Sequence, residues 1–135
     1  MIVADTNLIL YLLVPGDLSE QAEAVLEQDP DWLAPLLWRS ELRNALATYV
    51  RSGALELREA IEIVADAEAL MNGREALVAS PSVLRLSAGS GCSAYDCEFV
   101  ALAEEEGLPL VTSDRRVRSA FPGIAISPEE FTHAR

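Results

Sequence analysis

Short apolar runs alternate with longer amphipathic stretches along this chain. That alternation predicts parallel βα units. A strand covered on both faces reads as an unbroken apolar run, and a covering helix repeats its apolar positions about every 3.6 residues. Ile2–Ala4 is the first run and ends at Asp5. Thr6–Val14 reads as a helix stopped by Pro15-Gly16. DLSEQAEAVLEQ sets Asp17 three residues before Glu20, a capping-box-like start, with Ala22, Val25 and Leu26 at helical spacing. DWLA reads as a short strand. PLLWRSELRNALATYVRSG follows as a helix with Pro35 as its first residue, an apolar face of Leu42, Ala45, Leu46, Tyr49 and Val50, and Gly53 as its C-cap. ELREAIEIVADAEALMNG is expected to bury Leu57, Ile61, Val64 and Leu70 and to stop at Gly73.

The second half repeats the theme. EALVAS reads as a strand and PSVLRLSAGSG as a brief helix. SAYDCEFVALAEEEG reads as a helix between Ser93 as N-cap and Gly107 as C-cap. LPLVTSD is a strand that ends, like the first, in a carboxylate, Asp114. Arg115 to Ala120 forms a short helix and GIAI a last strand. SPEEF starts a final turn with Ser127 as cap, Pro128 at the first position and Glu130 closing the box.

With 135 residues and no repeat or long linker, the chain is expected to be one domain over 1–135. The N-terminal stretch has no basic leader, and the longest apolar run, Leu8 to Pro15, is too short to span a bilayer. A cytoplasmic protein away from the membrane is the expectation. The net charge is −12 and the chain has no Lys, which argues against a broad basic surface for nucleic acid. The balance permits acidic metal ligands, a basic protein partner, or a local Arg patch such as Arg115, Arg116 and Arg118, or Arg39 and Arg43. Cys92 and Cys97 are expected to be small, reduced, half-buried side chains. With one histidine, His133, they cannot build a zinc site. His133 near the end is expected to be solvated, which argues against a Ser-His-Asp or Cys-His hydrolase, since those need a positioned imidazole. The lack of Lys excludes a P-loop.

The carboxylates carry the candidate chemistry. Ligands of open α/β sheets gather at the carboxyl ends of the strands. Asp5 and Asp114 each follow a strand, and Asp96 lies in the first turn of a helix that starts at the same edge. Glu41 lies early in the helix after DWLA. Alone, each residue has an ordinary reading: Asp5 or Asp114 as an N-cap, Asp96 as a capping-box partner, Glu41 in a surface ion pair. Together they place four acids on one edge. Four converging acids repel, and hard divalent cations with oxygen ligands relieve that repulsion.

The stretches IVADTNLILYLL, SELRNAL and SAYDCEFVALAEEEGLPLVTSDRR, with the closing strand, resemble PIN-domain ribonucleases, and most of all the VapC toxins of toxin–antitoxin pairs. The resemblance runs in order along essentially the whole chain. It implies a three-layer α/β/α fold with a short parallel sheet of about five strands. It implies RNA phosphodiester cleavage dependent on Mg²⁺ or Mn²⁺, with one or two ions held by Asp5, Glu41, Asp96 and Asp114. Thr112 matches a family position that braces the site, and Asn7 one near the metals. Arg115 or Arg116 would hold the scissile phosphate. Some relatives carry a further acid where Arg115-Arg116 stand, which leaves a second ion weakly held or brought by substrate. A homodimer and a cognate antitoxin are implied as well. The alternatives are a PIN module that binds RNA or protein without cutting, and a metal phosphohydrolase for small molecules.

Overall fold

The computed structural model describes residues 1–133. Its sheet contains β1 (Ile2–Ala4), β2 (Trp32–Pro35), β3 (Glu75–Ala76), β4 (Leu110–Val111) and β5 (Ala125–Ile126). The strand order is β3-β2-β1-β4-β5 and every pairing is parallel. Val3 is opposite Leu33 on one side and Leu110 on the other, so β1 is the central strand and wholly buried. This explains why Ile2, Val3 and Ala4 read as an unbroken apolar run.

The helices are α1 (Thr6–Leu13), α2 (Ser19–Gln28), α3 (Leu37–Ser52), α4 (Leu57–Leu70), α5 (Ser80–Ser90), α6 (Ala94–Glu106), α7 (Arg115–Ala120) and α8 (Pro128–His133). From β1 the chain steps outward to β2 and β3, then returns to the other side of β1 for β4 and β5. Right-handed crossovers therefore put α1–α4 on one face and α5–α7 on the other. The packing agrees: α1 touches α2, α3 and α4, while α6 lies on β1, β2 and β4 and carries α5 on its back. The result is the expected three-layer α/β fold with a five-stranded parallel sheet. The strands are short, so side-chain packing holds the layers. Trp32 and Trp38 are the largest fully buried side chains. Each is satisfied at its indole N–H, Trp32 by the Asp29 carbonyl at 2.8 Å and Trp38 by a Glu75 carboxylate oxygen at 2.7 Å. Arg39 grips the same Glu75 at 2.6 and 2.8 Å and reaches Glu68 at 2.5 Å, tying α3 to β3 and α4. Its place in this network uses Arg39 for structure.

Several local expectations are corrected. Pro35 ends β2 rather than opening α3, because its carbonyl side still pairs along β3 and the helix begins at Leu37. Asp17 caps nothing; Ser19 ties the turn by accepting from the Gly16 N–H at 3.1 Å and donating to the Val14 carbonyl at 3.0 Å. α4 ends at Leu70, and Gly73, at φ 75°, lies in the turn beyond it. Leu57 and Ile61 are 64% and 61% exposed, and Ala60 and Ala67 fill the buried face instead. Cys92 and Cys97 are free, and both are fully buried. β3 keeps only Glu75 and Ala76 of EALVAS. Among the described residues no helix is long and apolar enough to cross a membrane.

Candidate active site

The winding direction reverses between β1 and β4, which makes that boundary the topological switch point, the place where open α/β sheets leave a crevice. Asp5 leaves β1 there and Asp114 follows β4. Asp5, Asp96, Asp114 and Thr112 line one small cleft with Phe99, Leu110 and Val117. Its volume is about 10 Å³, which is about one water-sized sphere.

Asp5 is at the N-cap position of α1, yet its carboxylate makes no cap hydrogen bond. It accepts instead from the Thr112 hydroxyl at 2.7 Å. Burial pushes its carboxyl above the usual range; the Thr112 bond works against this, and the charges of Asp114 and Asp96 add to it. Thr112 is itself buried and its oxygen accepts from the Asp114 backbone N–H at 3.1 Å, so one hydroxyl fixes two acids. Asp114 does cap: its Oδ1 accepts from the Arg116 and Val117 N–H groups at 2.9 and 3.3 Å. Capping and facing the cleft are compatible, because Oδ2 is left over. Asp96 is delivered by α6, whose start is capped by Ser93 accepting the Asp96 N–H at 3.1 Å.

Glu41 stands just past the first turn of α3 and outside the cleft lining. The buried Thr6 hydroxyl donates to its Oε1 at 2.6 Å. Burial raises its carboxyl, and the charges of Asp5, Asp96 and Glu98 raise it further. Asp5 thus feels the charges of Asp96 and Asp114, and Glu41 those of Asp5 and Asp96. Among the described residues none of the four makes an ion pair with an Arg.

The remaining candidates lie around this group. Asn7 is exposed in the first turn of α1 and does not line the cleft. Arg116 donates to the Gly91 carbonyl at 2.9 Å, which ties α7 to the end of α5. Arg115 is exposed and lines a separate cleft of about 390 Å³ with Arg118 and Glu130. His133 is exposed at the end of α8. Two contributors were not read from the sequence. Thr6 looked like an ordinary helix starter. Glu98 is a half-buried acid whose carboxyl is raised by burial. Its signal was available: a lone carboxylate in the run Cys97, Phe99, Val100, Ala101, Leu102 and Ala103, all of which are buried.

Among the described residues no three of His, Cys, Asp and Glu stand as a ready-made metal cage. The donor set still fits a hard divalent cation. Mg²⁺ keeps several of its waters and is held through one or two carboxylates, whereas structural zinc sites take four ligands, chiefly Cys and His, of which this cleft has none. A half-buried Asp5 with two like-charged neighbours, and among the described residues no ion-pair partner, is an environment in which such an ion relieves repulsion.

Residues 2–121 match the model of the PIN domain, and the chain belongs to the PIN-domain family. It is 33% identical over 129 residues to Ribonuclease VapC3 of Pyrobaculum aerophilum, spanning 91% of this chain and 96% of that one. The crystal structure of PAE2754 from Pyrobaculum aerophilum superposes with a TM-score of 0.78 at 22% identity, over 98% of this chain and 94% of that chain. A toxin-antitoxin complex from Klebsiella pneumoniae gives a TM-score of 0.70 at 16% identity, over 95% and 98%. At those identities the two structures speak for the fold alone.

Proposed function

We propose that this chain is a Mg²⁺- or Mn²⁺-dependent endoribonuclease, one PIN-like domain acting in the cytoplasm as the toxin of a toxin–antitoxin pair. The observation that carries the reading is the cleft at the β1/β4 switch point. Three carboxylates line it, one of them half-buried and held by Thr112, and among the described residues no Arg forms an ion pair with them. Its likeness to Ribonuclease VapC3 over nearly the full length of both chains supports RNA as the substrate.

Asp5, Asp96, Asp114 and Glu41 would hold one or two ions, largely through water. When bound, such an ion supplies Lewis-acid stabilisation of the charge that develops on a phosphodiester. The chain's own groups do the rest. Thr112 fixes the Asp5 and Asp114 positions, and Thr6 fixes Glu41 by one oxygen, leaving Oε2 to take a proton from the attacking water. No imidazole is at hand, so the proton goes to that carboxylate or to solvent. Arg115, exposed at the start of α7 and lining a separate cleft, would meet the phosphate backbone only further along the RNA; Arg116 donates to the Gly91 carbonyl.

Two protein partners belong to the proposal. The α3–α4 pair carries an apolar groove of about 510 Å³ lined by Leu46, Val50, Leu57, Ile61 and Val64. A second copy of the chain covering it would bury the exposed Leu57 and Ile61. An antitoxin with a basic segment suits a net charge of −12.

The test is cleavage of single-stranded and hairpin RNA by the purified chain in Mg²⁺, in Mn²⁺ and in EDTA, beside a panel of phosphorylated nucleotides. Cleavage of RNA alone, abolished by EDTA, is the expected result. RNA binding with no cleavage in either metal would move the assignment to a non-cutting PIN module. Turnover of the small phosphates alone would move it to a phosphohydrolase.

A further inference from the structure

The carboxyl edge of the sheet continues beyond the acids. Over β2 and β3 it opens into a cleft of about 360 Å³ whose walls include Leu36, Leu77, Val78, Val83, Leu84 and Glu98. Leu36 follows β2, Leu77 and Val78 follow β3, and Val83 and Leu84 come from α5. Leu77, Leu84 and Leu36 are 82%, 64% and 43% exposed. Single exposed leucines are ordinary, but three around one cavity mark a binding surface. Glu98 supplies the cleft's charged group. Among the described residues no hydrogen bond or ion pair engages its carboxylate. It is two residues after Asp96 on α6 and so leaves the helix on a different side from Asp96, but its charge is felt by Glu41. The apolar cleft and the acid group are therefore neighbours on one edge, joined through Glu98.

We propose that this cleft is a nucleobase subsite, in which a base next to the cleaved phosphodiester packs on the leucine and valine walls and Glu98 reads its Watson–Crick edge. The inference rests on the ribonuclease reading and extends it to base preference. The cleft's volume is in the range of small-molecule sites, about 300–1,000 Å³. Pockets for extruded bases combine apolar walls with a few groups that hydrogen-bond the base edge, which is the composition here. An apolar side chain of a protein partner would instead bury the Glu98 carboxylate without a donor, a costly arrangement.

The carboxylate sets the preference. It accepts hydrogen bonds and donates none when ionised. Guanine offers adjacent N1–H and N2–H donors, which match the two oxygens. Adenine and cytosine each offer one amino group beside an acceptor. Uracil presents two carbonyls around a single N–H and is opposed. The order expected is guanine first, adenine and cytosine next, uracil last.

The experiment uses the full chain and RNAs that differ only in the base beside the cut, each assayed in Mn²⁺. Wild type is expected to favour guanine over uracil by about 10-fold or more in kcat/KM. Glu98→Gln should collapse that ratio toward unity, and Leu84→Ser should raise KM for the guanine RNA far more than it changes kcat. A second arm needs no cleavage: 5′-GMP and 5′-UMP are titrated in EDTA and followed by amide NMR. GMP should shift the Val83, Leu84 and Glu98 signals at lower concentration than UMP. Equal cleavage of all four RNAs, or a guanine preference untouched by Glu98→Gln, overturns the subsite and leaves the nuclease standing. Absence of RNA cleavage in any metal sinks the nuclease reading, and the NMR arm then decides the subsite: selective GMP shifts at those residues support it, and none overturns it.

Discussion

Thr112 is the residue on which the site's geometry turns. Its one hydroxyl donates to Asp5 and accepts from the Asp114 N–H. Thr112→Val keeps the shape and removes both bonds. It should cost about 1–3 kcal/mol of stability, since a half-buried carboxylate loses its donor, and about 10–100-fold in activity, the usual range for a group that orients a metal ligand. Melting curves and RNA cleavage rates check both; a variant with wild-type activity would show that Asp5 needs no brace. Asp114→Asn separates the two jobs of that side chain. Asn caps as well as Asp, so the melting temperature should hold while most of the activity is lost. At this scale the sequence was informative wherever a residue's position follows from an element end. Asp5, Asp96 and Asp114 were placed at one edge by strand ends and a helix start, and they line one cleft. Thr6 was not legible as a member, and the lone carboxylate of Glu98 in an apolar run signalled burial but not membership. Thr6 acts through a partner 35 residues away. Glu98 is half-buried because α6 is sandwiched between sheet and α5, which its own periodicity does not encode.

Among the elements, α6 followed its pattern and α4 departed from it. Ser93 and Gly107, at φ 66°, bound α6 as caps on the sequence-derived limits. In α4 the apolar spacing of Leu57 and Ile61 is helical, but periodicity reports which residues share a face and not whether anything covers it. The described chain leaves that face open, with the groove beside it. Pro35 departs for a different reason: a first helical turn needs no N–H from it, and neither does the end of β2, where the bonds to β3 come from the Ala34 and Leu36 N–H groups. If a second copy covers α3 and α4, Ile61→Glu should turn a sedimenting dimer into a monomer. An exposed position should cost under about 0.5 kcal/mol of monomer stability. A wild-type chain that sediments as a monomer at tens of micromolar would remove the dimer from the account.

For the whole molecule, the acids bias the native state against its own charge. The carboxyls of Asp5, Glu41 and Glu98 are raised, each chiefly by burial. The native chain therefore holds more protons than the unfolded one in the range just above the ordinary carboxylate values. Stability without metal should rise as pH falls from neutral toward about 5. Glu75 works the other way: Arg39 holds its carboxyl low, so its stabilisation is complete above the ordinary glutamate value and is lost as pH falls through its depressed one. Divalent metal needs the ionised acids, so its effect should grow with pH. At one hundred times its Kd, an ion adds about 2.7 kcal/mol, or roughly 8 °C for a chain of this size. Melting curves from pH 5 to 8, with and without Mg²⁺, check both trends. A metal increment independent of pH would mean that these acids do not bind it. The β1/β4 switch point was legible only in part, because the sequence shows which strands end in acids but not that β4 returns beside β1.

The most direct test of a carboxylate-held metal that cuts RNA is the cleavage rate of Asp96→Asn at saturating Mn²⁺, measured beside its melting curve. Ser93 caps α6 through the Asp96 backbone N–H, and that bond does not need the carboxylate. Asn also suits a helix start, so the fold should be kept, with a melting temperature within about 2 °C of wild type. Asn brings a neutral oxygen where a charged ligand is required. The account predicts a loss of at least about 100-fold in cleavage, a larger effect than removing an orienting neighbour. Full cleavage by folded Asp96→Asn, or wild-type cleavage that survives EDTA, would contradict it.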